Sequence, residues 1–215
     1  MLPAPLPRSF FHRDPVTVAR ALLGQRLVRI LRGQRLAGII VETEAYLGIP
    51  DRAAHTCAGR RTARNASMWR DGGHAYIYFT YGMHYCLNAV TQTPDLPTAV
   101  LIRALQPTEG LELMARQRHL AINSKSEIPN PKSLCSGPAK LCQALAINRD
   151  LDGTDLVASP TLFIEQLRSR VFPAARIITT PRIGVAYAGP WAAKPLRFYL
   201  RDNSYVSKSA PITRT

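Results

Sequence analysis

Apolar and polar residues recur with two periods along this chain, one typical of helices and one typical of strands. Asp14-Pro15 precedes VTVARALLG, so a capping carboxylate, a first-turn proline and a closing Gly24 enclose an amphipathic run that predicts a helix. RLVRI and RLAGIIVETEAY flank RGQR, and HAYIYF and HYCLNAV flank TYGM. Both pairs alternate around a short turn, which predicts two β-hairpins.

The second half of the chain shows both the helical and the strand periodicity. TAVLIRAL predicts a strand, EGLELMARQRHL an amphipathic helix, and the polar, proline-bearing segment 123–133 a loop. We expect Ser136 to cap a helix over GPAKLCQALAI, with Asn148 just past its end. TLFIEQL, RIITT and RIGVAYA predict strands, whereas KPLRFYLRD fits a helix or a strand. Without repeat or linker, the 215 residues predict one mixed α/β (α+β) domain over 1–215.

Charge adds a partner to this picture. The chain is 46% hydrophobic, yet it carries 28 Lys and Arg against 14 Asp and Glu, which gives a net charge of +14. Most of these cations are arginines, whose guanidinium forks match phosphate oxygens. The composition therefore predicts a nucleic-acid partner, and the alternative is a cationic surface that binds nothing.

Other classes of protein fit the sequence poorly. No segment reaches the roughly 18 uninterrupted apolar residues of a membrane span, and MLPAPLPRSFFHRDP lacks the apolar core of a signal peptide. Cys57, Cys86, Cys135 and Cys142 form no C-x-x-C pair and have no histidine at ligand spacing. We therefore expect reduced thiols, no metal, no cofactor and no membrane partner.

The stretch VETEAY carries candidate acid–base chemistry. On a strand, Glu42, Glu44 and Tyr46 share one face. A carboxylate beside another carboxylate and an aromatic ring should resist ionisation, and such a group suits general acid or base catalysis. The same pattern fits two exposed strand residues that pair with some of the many arginines, so both interpretations stay open at this point.

The stretch HAYIYFTYGMHY places aromatic rings on both faces of a hairpin. Tyr76 and Tyr78 alternate onto one face, and Ile77 and Phe79 onto the other, where filling the core is the simpler interpretation. Tyr81 falls at the tip of the turn, and a turn tip is seldom buried. An aromatic side chain there is suited to entering a stack of nucleic-acid bases.

A basic stretch, HTCAGRRTARNASMWR, lies between these two motifs. It carries four arginines among short hydroxyl and amide side chains: Arg60, Arg61, Arg64 and Arg70, with Thr62, Asn65 and Ser67. Each of these groups can donate a hydrogen bond to a phosphate oxygen, so the pattern predicts a phosphate-binding loop. The alternative is a solvated basic loop without a ligand.

Seven strings in order resemble the alkyladenine (3-methyladenine) DNA glycosylase family over nearly the whole length: VETEAYLG, AAHTCAGRRTARN, YIYFTYGMHYCLN, VLIRALQP, LCSGPAKLCQAL, PRIGVAYAG and KPLRFYLR. The resemblance implies a single domain with a curved antiparallel β-sheet surrounded by helices. It also implies a monofunctional, monomeric enzyme that flips damaged purines out of duplex DNA and hydrolyses their N-glycosidic bond. The implied lesions are 3-methyladenine, 7-methylguanine, hypoxanthine and ethenoadenine.

The resemblance also implies roles for individual residues. Glu44 matches the base that activates the attacking water, and Arg103 and the main-chain carbonyl of Ile183 match the groups that hold this water. The residues matched to the flipped base are Tyr46 on one face, His55 and Tyr78 on the other, and Asn88 at its edge. The residues matched to DNA contacts are the wedge Tyr81 together with Arg60, Thr62, Met68 and Lys140. Glu42 has no comparable role in the family, and a supporting one is our expectation.

Two features of the sequence depart from the mammalian pattern of this family. His84 stands where an aromatic residue is expected, and the segment VTQTPDLPTAV is about two residues longer than in the mammalian pattern. These departures leave the range of lesions open.

Two other functions also fit parts of the sequence. A metal-dependent nuclease would use Glu42, Glu44 and Asp51 as ligands. A noncatalytic nucleic-acid-binding module would use the arginines alone. The expected location is cytoplasmic beside the nucleoid in a bacterium, or nuclear in a eukaryote.

Overall fold

The computed structural model describes residues 4–80, 82–121, 128 and 130–208, which form five α-helices and eight β-strands. The helices are α1 (Arg8–Phe11), α2 (Pro15–Leu22), α3 (Leu111–Gln117), α4 (Lys132–Cys135) and α5 (Pro138–Ala144). The strands are β1 (Arg26–Leu31), β2 (Gln34–Tyr46), β3 (Ala75–Thr80), β4 (His84–Thr91), β5 (Thr98–Glu109), β6 (Leu162–Glu165), β7 (Ile177–Thr180) and β8 (Arg197–Leu200).

All eight strands belong to one antiparallel sheet with β2 at its centre. The main order is β3-β4-β5-β2-β1-β6, and β8 pairs with both β2 and β7. The C-terminal half of β2 lies between β5 and β8, where Glu44 pairs with Leu101 on one side and Arg197 on the other. Register shifts around Ile40, Glu42 and Thr43 mark bulges, which bend a strand. The predicted mixed α/β fold class is confirmed.

The first helix and both hairpins form where the sequence predicts them. The Asp14 carboxylate accepts hydrogen bonds from the N–H groups of Val16 at 3.0 Å and Thr17 at 2.9 Å, and Pro15 opens α2. Gly24 has a φ of 83°, a left-handed conformation that glycine adopts without a steric penalty. β1 pairs with β2, and β3 pairs with β4, both antiparallel, as the two predicted hairpins require.

Three expectations about the second half are wrong. RIGVAYA does not form a strand: Gly184 has a positive φ of 78°, and Ala186–Ala193 forms two 3₁₀ turns divided by a kink at Gly189. Ser136 ends α4, and Gly137 is the N-cap residue of α5. α5 ends at Ala144, so Asn148 instead caps the 3₁₀-helix Arg149–Leu151. The ambiguous KPLRFYLRD supplies strand β8.

The predicted loop 123–133 lies largely outside the described residues, and α4 begins inside it. The expectation for Phe79 is also wrong: its partner Ile77 is fully buried, but Phe79 is 39% exposed. Phe79 lies near the end of β3, where its ring packs on Tyr85 with centroids 5.0 Å apart. The alternation was right, but the core does not extend to the end of the hairpin.

The core packs helices against the sheet and fixes which way β2 faces. α2 packs on β2 and β5, and the hydroxyl of Thr43 donates to the Ala19 carbonyl at 2.9 Å. Because side chains alternate along a strand, Glu42 and Glu44 point away from α2. Among the described residues, no helix combines the length and apolar character needed to cross a membrane.

Candidate active site

A cavity of about 410 Å³ lies beside the C-terminal half of β2. Strands β2, β3, β4 and β5 contribute to its wall, together with the segment after β7. Seven residues with predicted roles line it: Tyr46, His55, Met68, Tyr78, Asn88, Arg103 and Ile183. The volume is within the range of small-molecule sites, and the wall is mostly apolar with a few polar groups, as such sites require.

Glu44 lies directly behind this wall. Its side chain is fully buried, and one carboxylate oxygen, Oε1, accepts from the Ile183 N–H at 2.8 Å and lies 3.2 Å from Nη1 of Arg103. The other oxygen, Oε2, accepts from the Tyr46 hydroxyl at 2.9 Å. Donors from three separate chain segments therefore hold the carboxylate in one orientation. The carbonyl of Ile183, which the resemblance matched to the water, keeps that role as a prediction.

Tyr46 is the donor in this contact because its phenol stays protonated. Burial is the main cause that raises the pKa of Tyr46 well above its ordinary value, and the adjacent Glu44 raises it further. The hydroxyl therefore keeps its proton at neutral pH and donates a hydrogen bond to the carboxylate. Alternation along the strand correctly predicted that these two side chains meet.

Glu42 is the anchor of a second, deeper network. Its Oε1 accepts from Nε of Arg103 at 2.9 Å and Nε of Arg197 at 2.7 Å, and its Oε2 accepts from the Ser207 N–H at 2.7 Å. Burial raises the pKa of Glu42, but Arg103, Arg197 and Ser207 together outweigh it and leave the pKa below its ordinary value. The expectation that crowding would make this carboxyl resist ionisation is therefore wrong.

The two carboxylates share Arg103, which links the networks. Nε of Arg103 contacts Glu42, and Nη1 contacts Glu44. The alternative that both glutamates are exposed strand residues is wrong, since both are fully buried. The part of this alternative that pairs the glutamates with arginine is correct, since both carboxylates contact Arg103. Sequence reasoning missed Arg197 and Ser207, because both lie more than 150 residues away in the chain.

Three aromatic side chains form another part of the wall. The rings of Tyr76 and Tyr78 stack with centroids 5.5 Å apart, and the ring of His55 meets Tyr78 edge-on at 4.6 Å. Nδ1 of His55 lies 2.7 Å from the Tyr76 hydroxyl. Burial, with a smaller contribution from Arg64, lowers the pKa of His55 to about 4, so its ring is uncharged at neutral pH. Alternation placed Tyr76 beside Tyr78, but the sequence did not indicate its bond to His55.

Asn88 is fixed at the cavity wall by the sheet. It is 3% exposed and lies opposite Tyr76 in the β3–β4 pair, where its amide nitrogen donates to the Tyr76 carbonyl at 3.0 Å. This bond sets the plane of the amide. This position is compatible with the implied role of Asn88 at the edge of the base, and also with a role limited to its bond with the backbone.

The residues predicted to contact DNA occupy different environments. Arg60, Thr62 and Lys140 are exposed, whereas Met68 is 2% exposed and packs with Tyr76 in the cavity wall. Tyr81 lies outside the described residues. A second cavity of about 670 Å³ adjoins the first, and its lining includes Arg60 and Thr62 together with Arg52 and Arg64. The DNA contacts themselves stay predictions.

The carboxylates proposed as metal ligands are already paired with arginine. Asp51 forms a two-point ion pair with Arg182, while Glu42 and Glu44 contact Arg103. In the described part of the chain, no group of three or more His, Cys, Asp or Glu side chains is arranged to hold a metal ion. The nuclease alternative therefore lacks the ligand cluster that it requires there.

Comparisons with known proteins agree on one family. A family model described as methylpurine-DNA glycosylase matches residues 9–204. A human protein named DNA-3-methyladenine glycosylase is 47% identical over 93% of this chain and 66% of its own length. Proteins named putative 3-methyladenine DNA glycosylase are 47% identical in Methanocella arvoryzae, over 96% of this chain and 97% of theirs, and 44% identical in Desulfitobacterium hafniense, over 94% and 98%. The chain thus spans about two thirds of the human relative.

Proposed function

The chain belongs to the methylpurine-DNA glycosylase family of DNA-repair enzymes, and from this premise we propose that it removes damaged purines from duplex DNA by base excision. The substrate class is alkylated and deaminated purines, namely 3-methyladenine, 7-methylguanine, hypoxanthine and ethenoadenine. The observation that carries the proposal is the buried Glu44 carboxylate, oriented by three donors behind an aromatic cavity.

The proposed reaction is hydrolysis with water as the nucleophile. The damaged nucleotide turns out of the duplex into the cavity, at a cost of a few kcal/mol. Glu44 takes a proton from a water molecule admitted at the wall, and the water oxygen forms a bond to the anomeric carbon. The N-glycosidic bond breaks, its electrons leave with the base, and an abasic site remains. A general base of this kind contributes roughly 10²–10⁴ to the rate.

The aromatic wall supports a preference for alkylated purines. Any purine stacks on Tyr46, His55 or Tyr78, but an alkylated purine that carries a positive charge is attracted additionally to electron-rich rings. Because the pKa of His55 is about 4, this ring adds no opposing charge at neutral pH. The cavity therefore suits a cationic base as well as a neutral one.

The test is to incubate the protein with duplexes that each carry one lesion and to score alkali-sensitive abasic sites. We expect cleavable sites at the alkylated or deaminated purine and none at normal bases. A noncatalytic binding module would bind the duplexes without regard to the lesion and would release no base. Strand cleavage without alkali that stops in a chelator would instead favour a metal-dependent nuclease.

A further inference from the structure

A buried ion pair lies against the ring of Tyr46. Arg182 and Asp51 are joined at two points, Nη1 to Oδ2 at 2.5 Å and Nη2 to Oδ1 at 2.9 Å, and both side chains are completely buried. The guanidinium carbon of Arg182 lies 4.7 Å from the centroid of the Tyr46 ring. Tyr46 is among the residues that line the cavity and Arg182 is not, which indicates that the guanidinium covers the ring face turned away from the cavity.

The pair is held rigidly in this place. Nη1 of Arg182 also donates to the Ala45 carbonyl at 3.0 Å, on the strand that carries Tyr46. The Asp51 carboxylate accepts from the backbone N–H groups of Leu47 and Ala53, both at 3.0 Å. Neither charge can move to solvent, so the field that the pair exerts on Tyr46 is fixed.

The sign of that field matters for a cationic ligand. A cation over one face of an aromatic ring draws on the same electron density that attracts a cation on the other face. It also repels the second cation directly, and this repulsion is strong where water is excluded. Asp51 cancels the charge of Arg182, which leaves Tyr46 available to a cationic base.

We infer that the Arg182–Asp51 pair is a specificity determinant, in which Asp51 neutralises the cation behind Tyr46 and thereby preserves binding of positively charged lesions. The inference rests on the proposed function and deepens it. Neither residue touches the base, so both act through the stacking ring. The consequence is a charge-dependent effect: altering the balance of the pair should change the excision of cationic lesions more than that of neutral ones.

The experiment compares single-turnover release of 7-methylguanine, which is cationic, with release of neutral hypoxanthine from otherwise identical duplexes. Asp51→Asn keeps the shape of the side chain but leaves the Arg182 charge uncompensated. The ratio of 7-methylguanine release to hypoxanthine release should fall about 30-fold, as expected for one added charge roughly 8 Å from the base at an effective dielectric constant of about 20. Arg182→Gln leaves the Asp51 charge instead, and the ratio should rise.

The double variant Asp51→Asn/Arg182→Gln removes both charges and is the matched control. Its ratio should return to within about twofold of the wild-type ratio, even if both rates are lower. A purely structural pair would lower both rates alike in every variant, and an unchanged ratio would overturn the inference. Circular dichroism identifies a single variant that does not fold, and the other single variant then decides the sign.

The same experiment separates the two levels of the proposal. A wild-type protein that releases neither base would overturn the proposed function and this inference with it. A wild-type protein that releases both bases, with variants that keep the wild-type ratio, would overturn the inference alone.

Discussion

Glu44 and Glu42 are two residues apart on β2, both fully buried, and their surroundings suit them to different roles. Every partner of Glu44 lines the cavity, whereas Glu42 contacts Arg197 and Ser207 on the side away from it. Glu44 is therefore placed to act on a bound molecule. Glu42 is placed to hold Arg103, which in turn contacts Glu44.

The first prediction concerns Glu44→Gln. Glutamine keeps the size of the side chain and much of its hydrogen bonding, but it cannot take a proton from water. Single-turnover excision should fall by at least about 10²-fold, while binding to a lesion-containing duplex is retained. Turnover close to the wild-type rate would refute the assignment of Glu44 as the general base.

The second prediction separates the ring of Tyr46 from its hydroxyl. Tyr46→Phe keeps the stacking surface but removes the donor to Oε2 of Glu44. Hydrogen bonds to charged groups contribute about 1.5–3 kcal/mol, so we expect excision to slow by roughly 10- to 100-fold with little change in lesion binding. Tyr46→Leu, the comparison variant, should weaken binding as well. Excision by Tyr46→Phe at the wild-type rate would argue against a role for the hydroxyl.

The third prediction concerns guanine. A normal guanine carries a 2-amino group that adenine and hypoxanthine lack, and the family pattern sets Asn88 against that edge of the base. Asn88→Ala or Asn88→Ser should raise excision of undamaged or mismatched guanine, since a steric and unpaired-donor penalty of roughly 1–3 kcal/mol is removed. Release of hypoxanthine should stay equal or fall. An unchanged guanine-to-hypoxanthine ratio would leave Asn88 with only its bond to the Tyr76 carbonyl.

At the scale of elements, local signals predicted α2 and both hairpins. The Asp14 cap and the alternation of VETEAY depend only on residues that are close together in the chain, so both can be recognised in the sequence. The apolar run RIGVAYA predicts a strand, but Gly184 within it and Gly189 just after it have positive φ angles that change the direction of the chain. The donors to Glu44 could not be derived from local pattern, since they depend on the register of β2 with β5 and on the return of the chain after β7.

The fourth prediction concerns the segment that follows β8. Its Ser207 donates to Glu42 through both the backbone N–H and the hydroxyl, and Val206 is buried. Glu42→Gln would remove the buried carboxylate that Arg103 and Arg197 share, although Arg103 would keep its contact with Glu44. We expect the free energy of unfolding at pH 7 to fall by about 3 kcal/mol, as for a broken buried ion pair, and measurable by urea denaturation. Ser207→Ala, which keeps the N–H donor and removes one hydrogen bond to a charged group, should cost about 1.5 kcal/mol.

The pH dependence of this loss has a defined sign. The pKa of Glu42 in the folded protein is below its ordinary value of 4.5, so its stabilising contribution is fully present above pH 4.5. The contribution disappears as the pH falls through the lowered pKa of the folded state, where wild-type Glu42 also becomes neutral. The difference between wild type and Glu42→Gln should therefore shrink below pH 4.5. A constant difference down to pH 2 would contradict the assignment.

At the scale of the whole molecule, the net charge of +14 implies binding to DNA that depends on salt. Each phosphate contact made by a cationic side chain contributes about 0.9 to the slope of log affinity against log salt concentration. The fifth prediction is that Arg60→Ala and Lys140→Ala each reduce this slope by about one and weaken binding to damaged and undamaged duplexes alike.

The control variant is Arg32→Asn. Arg32 is exposed at the β1–β2 turn, which lies at the opposite end of β2 from Tyr46. Asparagine tolerates the φ of 50° at that position, so the control removes one charge without straining the turn. Fluorescence anisotropy across a series of salt concentrations measures each slope. If Arg32→Asn lowers the slope as much as Arg60→Ala does, the charge acts through the whole surface, and a DNA interface beside the cavity is refuted.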